Sequence, residues 1–156
     1  VIAGRVADST YFKRVRREAD RLMLPIQFEL DCSKEQLDSL LKMSKFFVHS
    51  KSNEHFGIVI LEAANAGCLT FVPDSGGPRE IITPSVLRFS TGQELVQNVN
   101  RILQNDELRA SVLSEVRNSL IPFRLSSFRK GLSEIIGFDS VTSKVLLTEN
   151  QRLRIL

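Results

Sequence analysis

Short apolar segments alternate with longer amphipathic segments along most of this chain. The apolar segments predict strands at residues 1–3, 26–30, 45–49, 69–72 and 86–89. The segments between and after them predict helices at residues 9–24, 33–42, 57–66, 78–82, 93–103, 107–120 and 123–136. Regular alternation of short strands with helices predicts an α/β fold in which a parallel sheet is covered by helices on both faces.

Length and composition narrow the class of protein. A chain of 156 residues with 42% hydrophobic and 25% charged residues is typical of one globular domain with a sizeable core. The net charge of +3 is compatible with an anionic ligand or an acidic membrane surface. It is far below that of nucleic-acid-binding domains, and the chain has no Trp and one Tyr for stacking on bases. We therefore expect no nucleic-acid partner.

Cellular location is indicated by the cysteines and by the apolar segments. Cys32 and Cys68 are far apart and lack a CxxC spacing, so neither a zinc site nor a disulfide framework is indicated. No apolar run approaches the ~18 residues of a membrane span, and no signal peptide opens the chain. These features predict a cytoplasmic location. Val1 starts what reads as a buried strand, so we expect a domain excised from a longer protein.

Two glycine-containing loops follow predicted strands. One follows His49 and the other, Asp-Ser-Gly-Gly-Pro, follows the strand at residues 69–72. Ligands of parallel sheets bind at the carboxyl ends of the strands, so these loops are where a ligand is expected. Gly57 lies at the predicted start of a helix, where free N–H groups and the helix dipole favour an anion such as a diphosphate.

Two carboxylates flank this predicted anion site. Glu54 lies in the loop, and Glu62 lies about 7 Å along the helix axis from Gly57 at ~1.5 Å per residue. Carboxylates accept hydrogen bonds from vicinal sugar hydroxyls, so an anion with a hydroxyl-rich ring at each end, such as a nucleotide diphosphate sugar, suits this spacing. The alternative is a helix-start acid and a solvated surface acid, which the spacing alone does not exclude.

The ordered set of these motifs resembles a known family. Glu54 and Glu62 with the Phe-Gly between them, the AxxAG run ending at Gly67 and the SGGPREII loop resemble the donor-binding half of retaining glycosyltransferases of family 4, glycosyl transferases group 1. The NEHFGI and DSGGP segments resemble dolichol-linked α-1,2-mannosyltransferases that use GDP-mannose, and their archaeal relatives. The resemblance covers residues 1–136 and implies a Rossmann-like sheet that forms the C-terminal half of a GT-B fold.

The resemblance also implies roles for individual residues. Glu54 would be the catalytic residue, holding hydroxyls of the transferred sugar, and Glu62 would hold the ribose diol. The backbone of Phe56, Gly57 and Ile58 would meet the diphosphate. The predicted substrate-binding residues are Ser52, Asn53, Glu54, His55, Phe56, Gly57, Ile58, Glu62, Gly76 and Gly77. Neither a metal nor a cofactor is expected, since the nucleotide sugar is a substrate and the chain has no HExxH or DxD cluster.

The predicted organisation is a donor-binding domain over residues 1–138, lacking its first strand, and a helical tail over residues 139–156. The predicted function is the donor half of an enzyme that moves a hexose, mannose from GDP-mannose, to a glycan or lipid-linked acceptor. An N-terminal acceptor domain absent from this chain would be its partner, and this chain alone is expected to transfer nothing. The enzyme could sit peripherally on the cytosolic face of a membrane. The alternative is a non-catalytic nucleotide-sugar-binding or scaffold module.

Three further features have ordinary interpretations. The charged run at residues 13–21 could be a patch for anionic membranes, but its mixed charges favour a solvated helix face. The apolar run at residues 58–61 is predicted to pack into the core. For His49 and His55, ligand contact and a structural or exposed position remain equally open.

Overall fold

The computed structural model describes residues 1–136. Its strands are β1 (Ile2–Gly4), β2 (Phe28–Leu30), β3 (Phe46–Val48), β4 (Leu69–Pro73) and β5 (Arg88–Phe89). Its helices are α1 (Ser9–Arg21), α2 (Lys34–Met43), α3 (Ile58–Asn65), α4 (Gly76–Ile81), α5 (Gly92–Leu103), α6 (Asp106–Ser119) and α7 (Leu125–Ile136), with 3-10 turns at Ser85–Leu87 and Ile121–Phe123. The predicted helical tail at residues 139–156 lies outside the described residues.

All strand pairs are parallel, as the alternation of strands and helices predicts. They form two sheets, one of β1 and β2 and one in the order β3-β4-β5, where the sequence predicts one sheet. In the second sheet Phe46 lies opposite Leu69, and Val48 lies opposite Phe71. This register brings the carboxyl ends of β3 and β4 side by side, so the two glycine-containing loops begin next to each other.

The main core surrounds β4, in which all five residues are buried. Helices α3, α4, α5 and α6 each contribute apolar side chains to it. Fully buried members of this core include Ile60, Phe71, Val72, Ile82, Leu87 and Ile102. A smaller cluster of Leu41, Ala63 and Cys68 packs α2 against α3. These two clusters fix α3, and hence the loop before it, against the sheet.

Strand β1 is not buried, contrary to the prediction for residues 1–3. All three of its residues are exposed, and the side chain of Ile2 is 45% exposed. Burial of a strand requires cover on its faces, and β1 has only β2 as a strand partner. The helix of this unit, α1, contributes Ala19 as its one buried residue. The apolar sequence of β1 therefore predicts its strand conformation but not its burial.

The predicted start of α2 is confirmed, whereas α1 ends before its predicted stop. The capping box at Ser33 and Gln36 is present, with the Gln36 amide donating to Ser33 Oγ at 3.2 Å. Helix α1 ends at Arg21, three residues earlier than predicted. The chain turns there because Met23 adopts a left-handed conformation with φ 49°, before Pro25 is reached.

Two segments differ from their predicted structure. Gly76 and Gly77 open helix α4, where a tight loop preceding Pro78 is predicted. The first half of the predicted strand at residues 86–89 belongs to a 3-10 turn, and only Arg88 and Phe89 pair with β4. The Leu87 amide donates to the Pro84 carbonyl at 3.1 Å, which closes a turn and removes the preceding residues from the ladder.

Candidate donor site

The two predicted ligand loops are in direct contact. The Gly77 amide donates to the Glu54 carbonyl at 3.0 Å, and the Asn53 amide lies 3.4 Å from Ser75 Oγ. Since residues 52–57 follow β3 and residues 74–77 follow β4, adjacent strand ends position both segments. The structure therefore brings together the predicted residues of these two loops at one edge of the sheet.

Gly76 and Gly77 are required by this contact between backbones. A Cβ at Gly76 would overlap the Glu54 carbonyl, and a Cβ at Gly77 would overlap the His55 carbonyl. Gly76 also has φ 62°, which favours glycine. The Gly77 amide already has the Glu54 carbonyl as its acceptor. The double glycine thus allows the second loop to approach the first. Contact of Gly76 and Gly77 with a ligand stays a prediction.

The N-terminus of α3 is suited to an anion. Its N-cap residue is Gly57, in the left-handed region at φ 84°, and the helix has no side-chain cap and no acid in its first turn. By contrast, α1, α2, α5 and α6 each have a side chain that accepts from a first-turn amide. Uncapped first-turn N–H groups together with the helix dipole form a favourable position for phosphate oxygens.

Ile58 shows that the entrance to this position is open. Its side chain is 67% exposed, so it does not pack in the core as the run at residues 58–61 predicts. Ile60 is the residue of that run with a fully buried side chain. On a helix only one face packs against the sheet, and Ile58 lies at the first position of α3 on the solvent side.

Glu54 is held in place by two hydrogen bonds. Its Oε2 lies 2.7 Å from Lys51 Nζ, and its Oε1 accepts from the His55 amide at 3.0 Å. The hydrogen bond from Lys51 is the main reason why the pKa of Glu54 lies below its ordinary value. The carboxylate is thus ionised at neutral pH and retains lone pairs that can accept sugar hydroxyls.

Glu62 is held by a residue of a different helix. Its Oε1 lies 2.9 Å from Lys34 Nζ, in the first turn of α2. The same contact is the main reason why the pKa of Lys34 is raised. Glu62 also borders an open cavity of about 340 Å³ between α2 and α3. The cavity is lined by Asp38, Leu41, Lys42, Ile58, Leu61, Glu62, Asn65 and Ala66.

The other predicted residues surround the first loop. Ser52 and His55 are exposed, and Asn53 turns the chain with φ 56°. The Phe56 ring meets Phe123 edge to face at a centroid distance of 5.9 Å, which ties the loop to the segment before α7. These positions leave the predicted side chains accessible, and their contact with a ligand remains a prediction.

His49 stands at the end of β3 behind Glu54. Its Nε2 is buried without a hydrogen-bond partner. Burial lowers the pKa of His49, the Glu54 carboxylate acts in the opposite direction, and Lys51 lowers it further. The ring is therefore neutral at pH 7 and sits beneath the loop as a structural neighbour of Glu54.

Sequence reasoning missed the two lysines that hold the two carboxylates. Lys51 precedes Glu54 by three positions, so a search for nearby opposite charges could have found it. Lys34 is 28 positions from Glu62, and only the packing of α2 against α3 brings them together. Within residues 1–136 no group of three or more His, Cys, Asp or Glu side chains is arranged to hold a metal ion. The same residues include no helix with the length and hydrophobicity of a transmembrane span.

Relatives of this chain share one function in their names. The GDP-Man:Man(3)GlcNAc(2)-PP-Dol alpha-1,2-mannosyltransferase of Dictyostelium discoideum is 31% identical over 106 residues, which is 66% of this chain and 21% of that protein. The Caenorhabditis elegans enzyme of the same name is 28% identical over 130 residues, 78% of this chain and 28% of that protein. The Candida glabrata enzyme is 37% identical over 82 residues, 49% of this chain and 16% of that protein. The chain thus spans a minor part of these relatives.

A solved structure and a family model complete the comparison. The structure of Anabaena Alr3699/HepE in complex with UDP and glucose matches with a TM-score of 0.72 at 20% identity, over 86% of this chain and 39% of that one. This likeness confirms the predicted fold class, a Rossmann-like α/β domain of GT-B type. The family model described as glycosyl transferases group 1 matches residues 1–118. Since that match covers most of the 156 residues, the chain belongs to the glycosyl transferases group 1 family.

Proposed function

We propose that this chain is the donor-binding half of a retaining glycosyltransferase that takes mannose from GDP-mannose. The observation that carries the proposal is the uncapped N-terminus of α3, which has Glu54 in the loop before it and Glu62 within the helix. The diphosphate lies at the first-turn amides of α3. The transferred sugar lies beside Glu54, and the ribose lies beside Glu62.

The finer assignment to mannose is supported by the relatives. Several of the proteins that this chain resembles are named for GDP-mannose as donor and for an acceptor linked to PP-dolichol. The matched residues make up 21% of the Dictyostelium protein. In this proposal the acceptor is bound by another part of the complete protein. By this proposal the acceptor is a lipid-linked glycan, and this chain alone binds donor without transferring sugar.

The proposed chemistry needs no metal. As the glycosidic bond breaks, negative charge develops on the leaving diphosphate, and the α3 dipole with its free amides stabilises it. Glu54 accepts hydrogen bonds from the hydroxyls of the departing sugar and keeps it in position. Glu54 is ionised, with its pKa held down by Lys51, so it acts here as an acceptor. Proton transfer to the leaving group is not assigned to it.

The test asks which ligand each of the two carboxylates helps to bind. By isothermal titration, Glu62→Gln should weaken binding of GDP and GDP-mannose alike, by about tenfold, because a charge-assisted hydrogen bond contributes ~1.5–3 kcal/mol and the amide keeps only part of it. Glu54→Gln should weaken GDP-mannose and leave GDP nearly unchanged. Glu35→Gln in α2, an exposed acid, is the matched control.

Each outcome of this titration is informative. An equal loss of GDP and GDP-mannose in Glu54→Gln would refute the role of Glu54. If neither variant changes the binding of GDP or GDP-mannose, both residues are solvated acids without a role in donor binding. Measured sugar transfer by the 156-residue chain would contradict the view that it is only the donor half. Donor binding without transfer by the complete protein would favour the non-catalytic module instead.

A further inference from the structure

Four of the five basic residues of α1 are gathered on the face that points away from the protein. Ala19 is buried, and Phe12 and Val15 are half-buried, so these three define the inward face. At about 100° per residue, the opposite face of the helix is occupied by basic side chains. Its members are Lys13, Arg14, Arg17 and Arg21, all exposed, and we call this set the α1 basic face.

The acids of α1 do not neutralise this face. Glu18 and Asp20 lie on its two flanks, and Glu18 pairs with Arg21 at 2.5 Å. In the described part of the chain, Lys13, Arg14 and Arg17 have no carboxylate within salt-bridge distance. The helix carries five basic and two acidic side chains, so it holds an excess of positive charge equal to that of the whole chain.

The shape of the α1 basic face selects the kind of partner. It is one convex side of a helix, about 12 Å long at ~1.5 Å per residue, and side chains that radiate from a helix diverge instead of surrounding a small anion. Its charges face outward together, which complements an extended surface of negative charge. Clusters of four to eight Lys or Arg on a helix are typical of binding to anionic phospholipids.

We propose that the α1 basic face docks this domain on an anionic phospholipid surface. This inference extends the proposed function, in which the acceptor is lipid-linked, because docking would keep the donor site near the acceptor. Binding is electrostatic, since the apolar side of α1 is already packed, with Phe12 meeting Phe28 edge to face at 5.5 Å. It should therefore be strongest at low salt and fail at high salt.

Vesicle co-sedimentation of the 156-residue chain tests the proposal. Phosphatidylcholine vesicles with phosphatidylserine should bind the chain, and pure phosphatidylcholine vesicles should not. Binding should be lost between about 0.1 M and 1 M salt, where the screening length falls from about 10 to about 3 Å. The variant Lys13→Gln/Arg14→Gln/Arg17→Gln should bind at least tenfold, and up to about 100-fold, more weakly.

A charge-matched variant supplies the control. Arg101→Gln/Arg117→Gln/Arg124→Gln removes the same charge from exposed positions on other elements and should keep vesicle binding within about threefold of the parent chain. Equal loss in both variants would mean that net charge alone attracts the vesicles and would overturn the proposal. So would failure of the parent chain to bind phosphatidylserine vesicles, or tighter binding to duplex DNA than to vesicles at equal salt.

Titration with GDP-mannose keeps this proposal separate from the donor site. The α1 variant should bind GDP-mannose like the parent chain, because its substituted residues lie outside the two ligand loops. If the parent chain binds vesicles but not GDP-mannose, the donor-site proposal fails and the docking proposal stands. The converse result, donor binding without vesicle binding, removes only the docking proposal.

Discussion

Strands β1 and β4 of this domain differ sharply in burial. Strand β4 has all five residues buried between helices on both faces, whereas β1 has all three exposed. Each is an apolar run in a parallel ladder. The difference comes from cover: β4 has a strand on each edge and packs against α3, α4 and α6, while β1 has β2 as its one strand neighbour among the described residues.

The difference decides where the site can be built. Both ligand loops leave the well-covered sheet, at the ends of β3 and β4, where packed side chains hold the backbone in place. The α1 basic face belongs to the thinly covered sheet, and electrostatic contact with a flat surface needs no such rigidity. We therefore expect substitutions in the second sheet to affect stability and donor binding, and substitutions in the first sheet to have smaller effects on both.

The largest expected effect is loss of the core around β4. Phe71→Ala removes a fully buried ring and should lower the free energy of unfolding by about 3–5 kcal/mol. Phe28→Ala in β2 removes a half-buried ring and should cost about 1–2 kcal/mol. Urea unfolding of both variants measures the contrast. If Phe71→Ala does not fold, Phe71→Leu takes its place. Equal losses would contradict the difference in cover between β2 and β4.

The contact between the two loops should give the next largest effect. Gly77→Ala places a methyl group against the His55 carbonyl, so the loops must separate, at a cost of about 1–3 kcal/mol in unfolding free energy. Binding of GDP-mannose should fall as well, because Glu54 moves with its loop. Gly92→Ala is the control, since nothing lies within 4 Å of the added carbon at the start of α5. Unchanged stability of Gly77→Ala would argue against the close contact.

The sequence predicts the local features of this fold well, but it predicts the burial and the tertiary contacts of residues poorly. The spacing of Glu54, Gly57 and Glu62 depends on one loop and one helix, and so it could be interpreted directly. The exposure of β1 could not, because burial depends on which elements cover a strand. The 3-10 turn that ends at Leu87 was missed since an apolar run does not distinguish a short strand from a buried turn. The Lys34 contact arises only from tertiary packing.

The contact between Lys34 and Glu62 should have a modest effect, mainly on ligand binding. Both side chains are partly exposed, so Lys34→Met should change the free energy of unfolding by less than about 1 kcal/mol. Without the lysine, Glu62 is free to rotate away from the proposed ribose position, and GDP binding should weaken by about two- to fivefold. Lys45→Met, which removes an exposed lysine outside the cavity that Glu62 borders, is the control for charge. Lys34→Arg should restore most of the binding, and equal losses in Lys34→Met and Lys45→Met would contradict a positioning role.

The smallest expected effect is a pH dependence of stability. It should arise in the sheet of β3, β4 and β5 and not in the sheet of β1 and β2. Burial lowers the pKa of His49 at the end of β3, so the native state binds this proton more weakly than the unfolded chain does. The stability that neutral His49 contributes is therefore complete above the unfolded pKa of about 6.5 and is lost as the pH falls through the lowered native pKa. The effect of Glu54 is separate: its pKa is also lowered, but from the ordinary glutamate value of 4.5, so its contribution is lost only in more acidic solution.

Two variants isolate this effect, because the chain has only two histidines. Urea unfolding at several values between pH 7.5 and pH 5 should show a loss of stability on acidification in the parent chain. His49→Gln should flatten that loss, since glutamine has a similar polar group but no proton to take up in this range. His55→Gln, which removes the exposed histidine of the neighbouring loop, should keep the slope of the parent chain. If His55→Gln flattens the profile and His49→Gln does not, the half-buried ring of His49 is not the titrating group, and the difference in pH response between the two sheets disappears.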